Sequence, residues 1–423
     1  MNSRDFLKSN LIVIIIANSA NLFSYLFQFV MGRYLSVEDF GILNAVSSLG
    51  VLASIMTGVI PFIVTKYIIE FKEDKKMSSL LIWNMFKFTL LVTLVMSVLA
   101  VVFIDQIDNY LKLNDHTPIY IFLLIMITGV FLSVFFGVMQ GLLMYIKSSI
   151  KNATLALFRF IFSFIFVVFL GYGYNGALGA SIFSNILVGI WVFTIIKKEI
   201  RFYKPDDVFL PKGTYKKMFI YALPVGLMWL AIGLLTNMDI ILVKHYTTSI
   251  EAGEYSVAAI IARVAVFLPS VLLFVLFPQV SQNSKDGKSS ISTIVTVMIL
   301  TLILSGGFTL SVYLFPELII TTLFGDKFIG GADVLVIITS AMALVAVLSV
   351  LFNFFLAKHI YSFLYFTWAI LLGIGFVIMS YMHDNSMEIA TVILSGMIIL
   401  IIVNSIIMFY YFYKEKNAIA RAT

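Results

Sequence analysis

The chain has 423 residues, of which 61% are hydrophobic and only 12% charged, with a mean hydropathy of +1.04, against about 45–50% and about 25% for ordinary soluble domains. A soluble core could not hide that much apolar surface, so the chain reads as an integral membrane protein. The net charge of +6 and pI near 9.1 would suit a nucleic-acid binder, but the basic residues alternate with apolar runs instead of sharing one soluble face; the absence of cysteine excludes disulfides, thiolate metal sites and cysteine nucleophiles.

Apolar runs of about 20 residues, the length that crosses a hydrocarbon core, recur over 11–31, 41–65, 81–104, 119–145, 153–170, 177–196, 218–243, 255–279, 291–315, 332–356, 361–381 and 388–411. They predict an all-α polytopic protein of about twelve transmembrane helices. The first run follows Arg4 and Lys8 and lacks a small-x-small cleavage site, so it is expected to remain as the first helix.

Basic residues set the orientation. Of the 28 Lys and Arg, four fall in outward segments (Arg33, Lys112, Lys244, Lys327) and three inside spans (Lys87, Arg159, Arg263); the other 21 face inward when both termini are placed in the cytoplasm. That distribution obeys the positive-inside rule. Lys147 and Lys151 are counted with the inward loop before the fifth span.

The inward stretch after the sixth span carries Pro205, Asp206, Asp207 and Pro211 among basic residues and reads as a linker. The expected organisation is a six-helix bundle over 1–200, a cytoplasmic linker over 201–217 and a second six-helix bundle over 218–423. A similar hairpin follows the first helix of each half: Arg33-Tyr34-Leu35-Ser36-Val37-Glu38-Asp39-Phe40-Gly41 and His245-Tyr246-Thr247-Thr248-Ser249-Ile250-Glu251-Ala252-Gly253. Locally, Ser36 with Asp39 and Thr248 with Glu251 have the spacing of a helix-opening capping box. The recurrence points to a repeat related by an axis along the membrane normal.

Four stretches carry a family resemblance: Gly32-Arg33-Tyr34-Leu35-Ser36-Val37-Glu38-Asp39-Phe40-Gly41, Thr236-Asn237-Met238-Asp239-Ile240-Ile241-Leu242, Ala252-Gly253-Glu254-Tyr255-Ser256-Val257-Ala258, and Leu323-Phe324-Gly325-Asp326-Lys327-Phe328. With their order and the twelve spans, the chain resembles the polysaccharide transporters, of O-antigen-flippase type, within the multidrug/oligosaccharidyl-lipid/polysaccharide exporter superfamily. The resemblance implies two bundles forming a V around a central cavity. It also implies transfer of a polyprenyl-diphosphate-linked oligosaccharide, the repeat unit of an O-antigen or exopolysaccharide, from the inner to the outer leaflet of the cell membrane. Implied partners are that lipid-linked oligosaccharide, membrane lipids and a glycan polymerase or other assembly protein, with no nucleic acid and no cofactor. The absence of helices beyond twelve disfavours the longer lipid II flippase type.

An ionisable group near the bilayer centre costs at least about 2.5–3.5 kcal/mol and normally faces water, a partner or a substrate. The candidates are Lys87, Arg159, Asp239 and Arg263. Arg263 lies about 12 Å into the eighth span, and an Asp239 to Arg263 pair is expected either as a structural bridge or as part of a site. Arg159 and Lys87 either snorkel to the inner headgroups or hold an anion, since a guanidinium fork suits phosphate. Three cations against one acid favour an anionic cargo. In the first span, Asn18, Asn21, Tyr25 and Gln28 occupy an arc of roughly 80°; the stripe either lines a sugar-binding cavity or joins helices through side-chain hydrogen bonds. The substrate-binding candidates are thus Arg159, Arg263, Asp239, Lys87, Asn18, Asn21 and Gln28. Pro61, Pro224, Pro269 and Pro278 are candidate kinks.

Two other functions compete. An ion-coupled multidrug or metabolite antiporter of the related multidrug-extrusion family usually needs buried carboxylates, and only Asp239 is at hand. A membrane enzyme needs a catalytic constellation, whereas His116, His245, His359 and His383 are scattered near span ends, and no Walker-type or His-Glu-x-x-His motif occurs.

Overall fold

The computed structural model describes residues 3–113, 115–200, 210–211, 213–269 and 291–422. Helices fill nearly all of them. In chain order these are α1 (Ser3–Tyr34), α2 (Val37–Gly58), α3 (Ile60–Glu70), α4 (Lys75–Val102), α5 (Ile104–Leu111), α6 (Thr117–Gly141), α7 (Tyr145–Phe164) with a π-helical extension (Ile165–Phe169), α8 (Gly173–Glu199) and α9 (Thr214–Tyr246). Then come α10 (Ser249–Ala262), α11 (Val264–Phe267), α12 (Ile291–Leu314), α13 (Pro316–Leu323), a 3-10 turn (Asp326–Gly331), α14 (Ala332–Ala357), α15 (Ser362–Ser380) and α16 (Ser386–Ala422).

Among the described residues, nine helices are long and apolar enough to cross a membrane. The other three expected spans coincide with α1, with α2 and α3 together, and with α10 and α11 together. The second is interrupted at Val59, where Pro61 opens α3. The eighth is interrupted at Arg263, and its remainder, with Pro278, lies outside the described residues. The chain is a polytopic all-α membrane protein. Most of the linker expected over 201–217 also falls outside the described residues.

The chain divides into two compact units, Met1–Gly226 and Leu227–Thr423, with the division inside α9 close to Pro224. In the first unit α1 runs along α7, while α6 packs on α3, α4 and α8. The α3–α6 contact is a small-residue seam. A Cβ on Gly137 would stand 2.7 Å from the Pro61 carbonyl oxygen and from Val64 Cβ, and one on Gly141 would stand 2.7 Å from Ile68 Cβ. Four-residue spacing puts both glycines on one face, so the backbones approach closely enough for Thr65 Oγ1 to donate to the Gly137 carbonyl at 3.1 Å.

In the second unit α14 is the most enclosed spanning helix, packed by α10, α12 and α16. Its lead-in is the Leu323–Phe328 stretch. Gly325 takes φ +98, a backbone region that side chains disfavour, and turns the chain so that Phe324 and Phe328 both bury, their rings meeting edge on. A Cβ on Gly331 would stand 2.6 Å from the Glu254 carbonyl oxygen, so α10 seats directly on this turn.

The two similar hairpins make the same local bonds. Ser36 Oγ accepts from Asp39 N–H at 3.0 Å, and Thr248 Oγ1 from Glu251 N–H at 3.2 Å. Each satisfies a helix-start amide that would otherwise lack a partner. The second hairpin has a further use, since Glu251 Oε1 accepts from the Ser386 N–H at the start of α16 at 2.6 Å.

Candidate functional site

The intramembrane charges fall into two arrangements, one in each unit. In the second unit Asp239 on α9 is 1% exposed. Its Oδ2 accepts a hydrogen bond from the Tyr255 hydroxyl on α10 at 3.2 Å. Arg263 Nη2 lies 4.0 Å from Asp239 Oδ1, close enough for an ion pair and too far for a hydrogen bond. Among the described residues, Arg263 Nε and Nη2 and Asp239 Oδ1 are buried without hydrogen-bond partners. The arginine sits at the break between α10 and α11, where its carbonyl accepts from Val266 and Phe267. The pairing expected from sequence is therefore present, and it is loose.

Two of the four stretches that carry the resemblance meet here, with the last of them nearby. Asp239 comes from the 236–242 stretch, Tyr255 from the 252–258 stretch, and the residue before it, Glu254, rests on the Gly330–Gly331 end of the 3-10 turn that follows Phe324. Tyr255, fully buried, was not among the residues expected at the site. The signal was its place in the quoted stretch, but only the packing of α10 on α9 shows that its hydroxyl reaches the carboxylate.

In the first unit Arg159 on α7 is half-buried, its guanidinium 4.2 Å from the centre of the Phe27 ring on α1. Among the described residues no carboxylate pairs with it, and its Nε is buried without a hydrogen-bond partner. Next to Phe27, Gln28 donates through Nε2 to Asn44 Oδ1 on α2 at 3.2 Å, while Asn44 donates to the Phe40 carbonyl at 2.9 Å. This is the helix-joining role allowed for the polar stripe. Gln28 Oε1 is also buried without a partner among the described residues. Asn21 is half-buried and Asn18 exposed, so the stripe is most exposed at Asn18. Lys87 stands apart, exposed on α4 between Phe86 and the exposed Phe88.

A further cation emerges only from the structure. Lys151, counted from sequence with the inward loop, is inside α7, 6% exposed, with Nζ 4.5 Å from the centre of the Phe136 ring on α6. Among the described residues no group of three or more His, Asp or Glu side chains converges as a metal site.

These helices match known proteins. A family described as polysaccharide biosynthesis protein covers residues 7–284, well over half of the chain. The chain belongs to this family. Among solved structures it is similar to an inward-facing multidrug resistance MATE family transporter of the MOP superfamily, at 11% identity and TM-score 0.79, covering 96% of this chain and 99% of that one. It is also similar to the lipid II flippase MurJ in an inward closed conformation, at 13% identity and TM-score 0.72, covering 92% and 86%. A third is the eukaryotic MATE transporter AtDTX14, at 11% identity and TM-score 0.69, covering 98% and 97%. At such identities the likeness establishes a shared fold. No curated protein matches the chain by sequence.

Proposed function

We propose that this protein is a flippase that carries a polyprenyl-diphosphate-linked oligosaccharide from the inner to the outer leaflet of the cell membrane by alternating access, with both termini cytoplasmic. The observation that carries the reading is Arg159, an intramembrane guanidinium with no carboxylate partner among the described residues and with unsatisfied donor capacity. A cation held at such cost calls for an anion that arrives from outside the fold. The diphosphate of a lipid-linked sugar supplies one, and a planar fork of donors suits it. Membership of a polysaccharide biosynthesis family and a fold shared with a lipid II flippase support the same cargo class. Asn18, Asn21 and Lys87 are proposed to contact glycan or headgroup, and Arg263 to hold anion when it leaves Asp239. A glycan polymerase is the expected downstream partner.

The second reading, an ion-coupled multidrug antiporter, draws on the fold shared with MATE transporters. It needs an available buried carboxylate for cationic drugs, whereas Asp239 is already engaged by Tyr255 and Arg263.

The test is to deplete the protein in its native cell and quantify prenyl-diphosphate-linked glycans by mass spectrometry, with sidedness read by a membrane-impermeant glycosidase. Build-up on the cytoplasmic face is expected. Unchanged lipid-linked glycans favour the antiporter. An Arg159→Ala, Arg263→Ala double variant at normal protein level is expected to reproduce the depletion, and unchanged export in it sinks the role given to the arginines.

A further inference from the structure

Lys151 is a buried cation that the site around Arg159 does not use. Its neighbour Lys147 finds an acid, with Nζ 3.6 Å from Glu199 Oε1 on α8. Lys151, one turn further into α7, pairs with no carboxylate among the described residues and turns instead to the face of Phe136. A cation–π contact returns only part of the hydration that an ammonium loses on burial.

The surroundings of Lys151 are built to donate. Ser148, three residues earlier and 2% exposed, accepts through Oγ from Gln140 Nε2 at 2.9 Å, which leaves its own hydroxyl proton for another acceptor. Gln140 and Phe136 are one turn apart on α6, so α6 presents an amide and a ring to the serine and the lysine of α7. Ser148, Lys151, Leu155 and Arg159 follow one another at helical spacing on one face of α7, within an arc of about 80°. Eight residues separate Lys151 from Arg159, a rise of about 12 Å.

We propose that Lys151 and Ser148 form an anion site at the inward end of α7, which receives the diphosphate of a prenyl-linked substrate before Arg159 does. The site rests on the flippase reading for the identity of its ligand and on the geometry of α6 and α7 for its existence. Lysine suits a first, transient contact, since its ammonium is a compact charge with rotatable donors on a flexible stem, whereas the arginine fork holds a phosphate in one geometry. Two cations of one stripe then give the headgroup a stepwise path into the membrane.

The test titrates the full chain in nanodiscs of zwitterionic lipid with farnesyl diphosphate, with farnesol and inorganic pyrophosphate as comparison ligands. It is run in the parent and in an Arg159→Met background, where Lys151 is the remaining cation of the stripe. In that background Lys151→Met is expected to weaken farnesyl diphosphate binding by about tenfold or more, with Lys151→Arg within about threefold of its parent. Ser148→Ala, a smaller change for the fold, is expected to cost about threefold, and Lys72→Met, exposed in the turn between α3 and α4 and off the stripe, nothing.

Farnesyl diphosphate affinity unchanged by both Lys151→Met and Ser148→Ala overturns the site, as does failure of the parent to bind it. Farnesol binding as tightly as farnesyl diphosphate also overturns it. Inorganic pyrophosphate binding equally well assigns the site to a soluble anion and overturns the prenyl-linked ligand. Displacement by added phosphatidylglycerol at equal affinity assigns it to bulk anionic lipid, with the same consequence. The flippase reading fails separately: if lipid-linked glycans keep their sidedness on depletion while Lys151-dependent diphosphate binding persists, the anion site stands and the cargo assigned to it falls.

Discussion

The two units each place an arginine within the membrane-spanning helices, and they treat it in opposite ways. In Leu227–Thr423, Arg263 shares its place with Asp239, whose other oxygen is held by Tyr255. In Met1–Gly226, Arg159 lies over the Phe27 ring, and among the described residues it has no carboxylate partner and its buried Nε no hydrogen-bond partner. A paired cation contributes to the fold and answers to an internal acid; an unpaired one burdens the fold and answers to whatever anion reaches it. Substitutions can test that difference.

The largest effect is expected at Asp239. Asp239→Ala leaves Arg263 without its acid and Tyr255 without its acceptor, and loss of one partner from a buried pair costs about 3–5 kcal/mol. Thermal unfolding of the detergent-solubilised protein is expected to show a marked drop or loss of folded protein, and a wild-type midpoint would mean that the pair carries no stability. Gly137→Leu probes what holds the other unit. Its side chain has no room against Pro61 and Val64, and overpacking of about 1–3 kcal/mol or more is expected; normal stability would show that the α3–α6 seam yields.

Arg159→Met is the sharpest comparison. It removes a cation with no carboxylate partner, so stability is expected to stay within about 1 kcal/mol of the parent or to rise, while glycan export is lost. Destabilisation as large as that of Asp239→Ala would erase the distinction between the two arginines. The smallest effects are expected at the caps. Ser36→Ala and Thr248→Ala each remove one helix-start hydrogen bond, worth about 1 kcal/mol. The second is expected to cost more than the first only if it also disturbs the Glu251 contact to Ser386, which differential unfolding of the two variants reads out.

Much of the architecture was legible in the sequence because the bilayer leaves little choice. Backbone groups in hydrocarbon must bond within the segment, so a run of about 20 apolar residues has to be a helix, and the described residues of the expected spans are mostly helical, with breaks at Val59 in the second and Arg263 in the eighth. The caps at Ser36 and Thr248 were legible for the same local reason, a hydroxyl three residues before the amide it serves. The Asp239–Arg263 pair was legible because two lone charges in neighbouring spans have few other places to go.

What the sequence left open depended on which faces meet. Lys151 looked like an inward loop charge, because a lysine near a span end ordinarily snorkels; only the approach of α6 places Phe136 over its ammonium and Gln140 on Ser148. Tyr255 was one aromatic among 20 tyrosines until α10 packed on α9. Gly137 and Gly141 carried a recognisable spacing, but their partner on α3 is chosen by contact between helices distant in sequence.

The sequence by itself determined that this chain spans a membrane many times and which family it resembles, because hydropathy and local hydrogen bonding act within a segment. The tertiary structure alone decided which intramembrane arginine meets an acid among the described residues and which does not, because the partner of a charge is set by packing between helices, and apolar spans of similar composition do not encode who their neighbours will be.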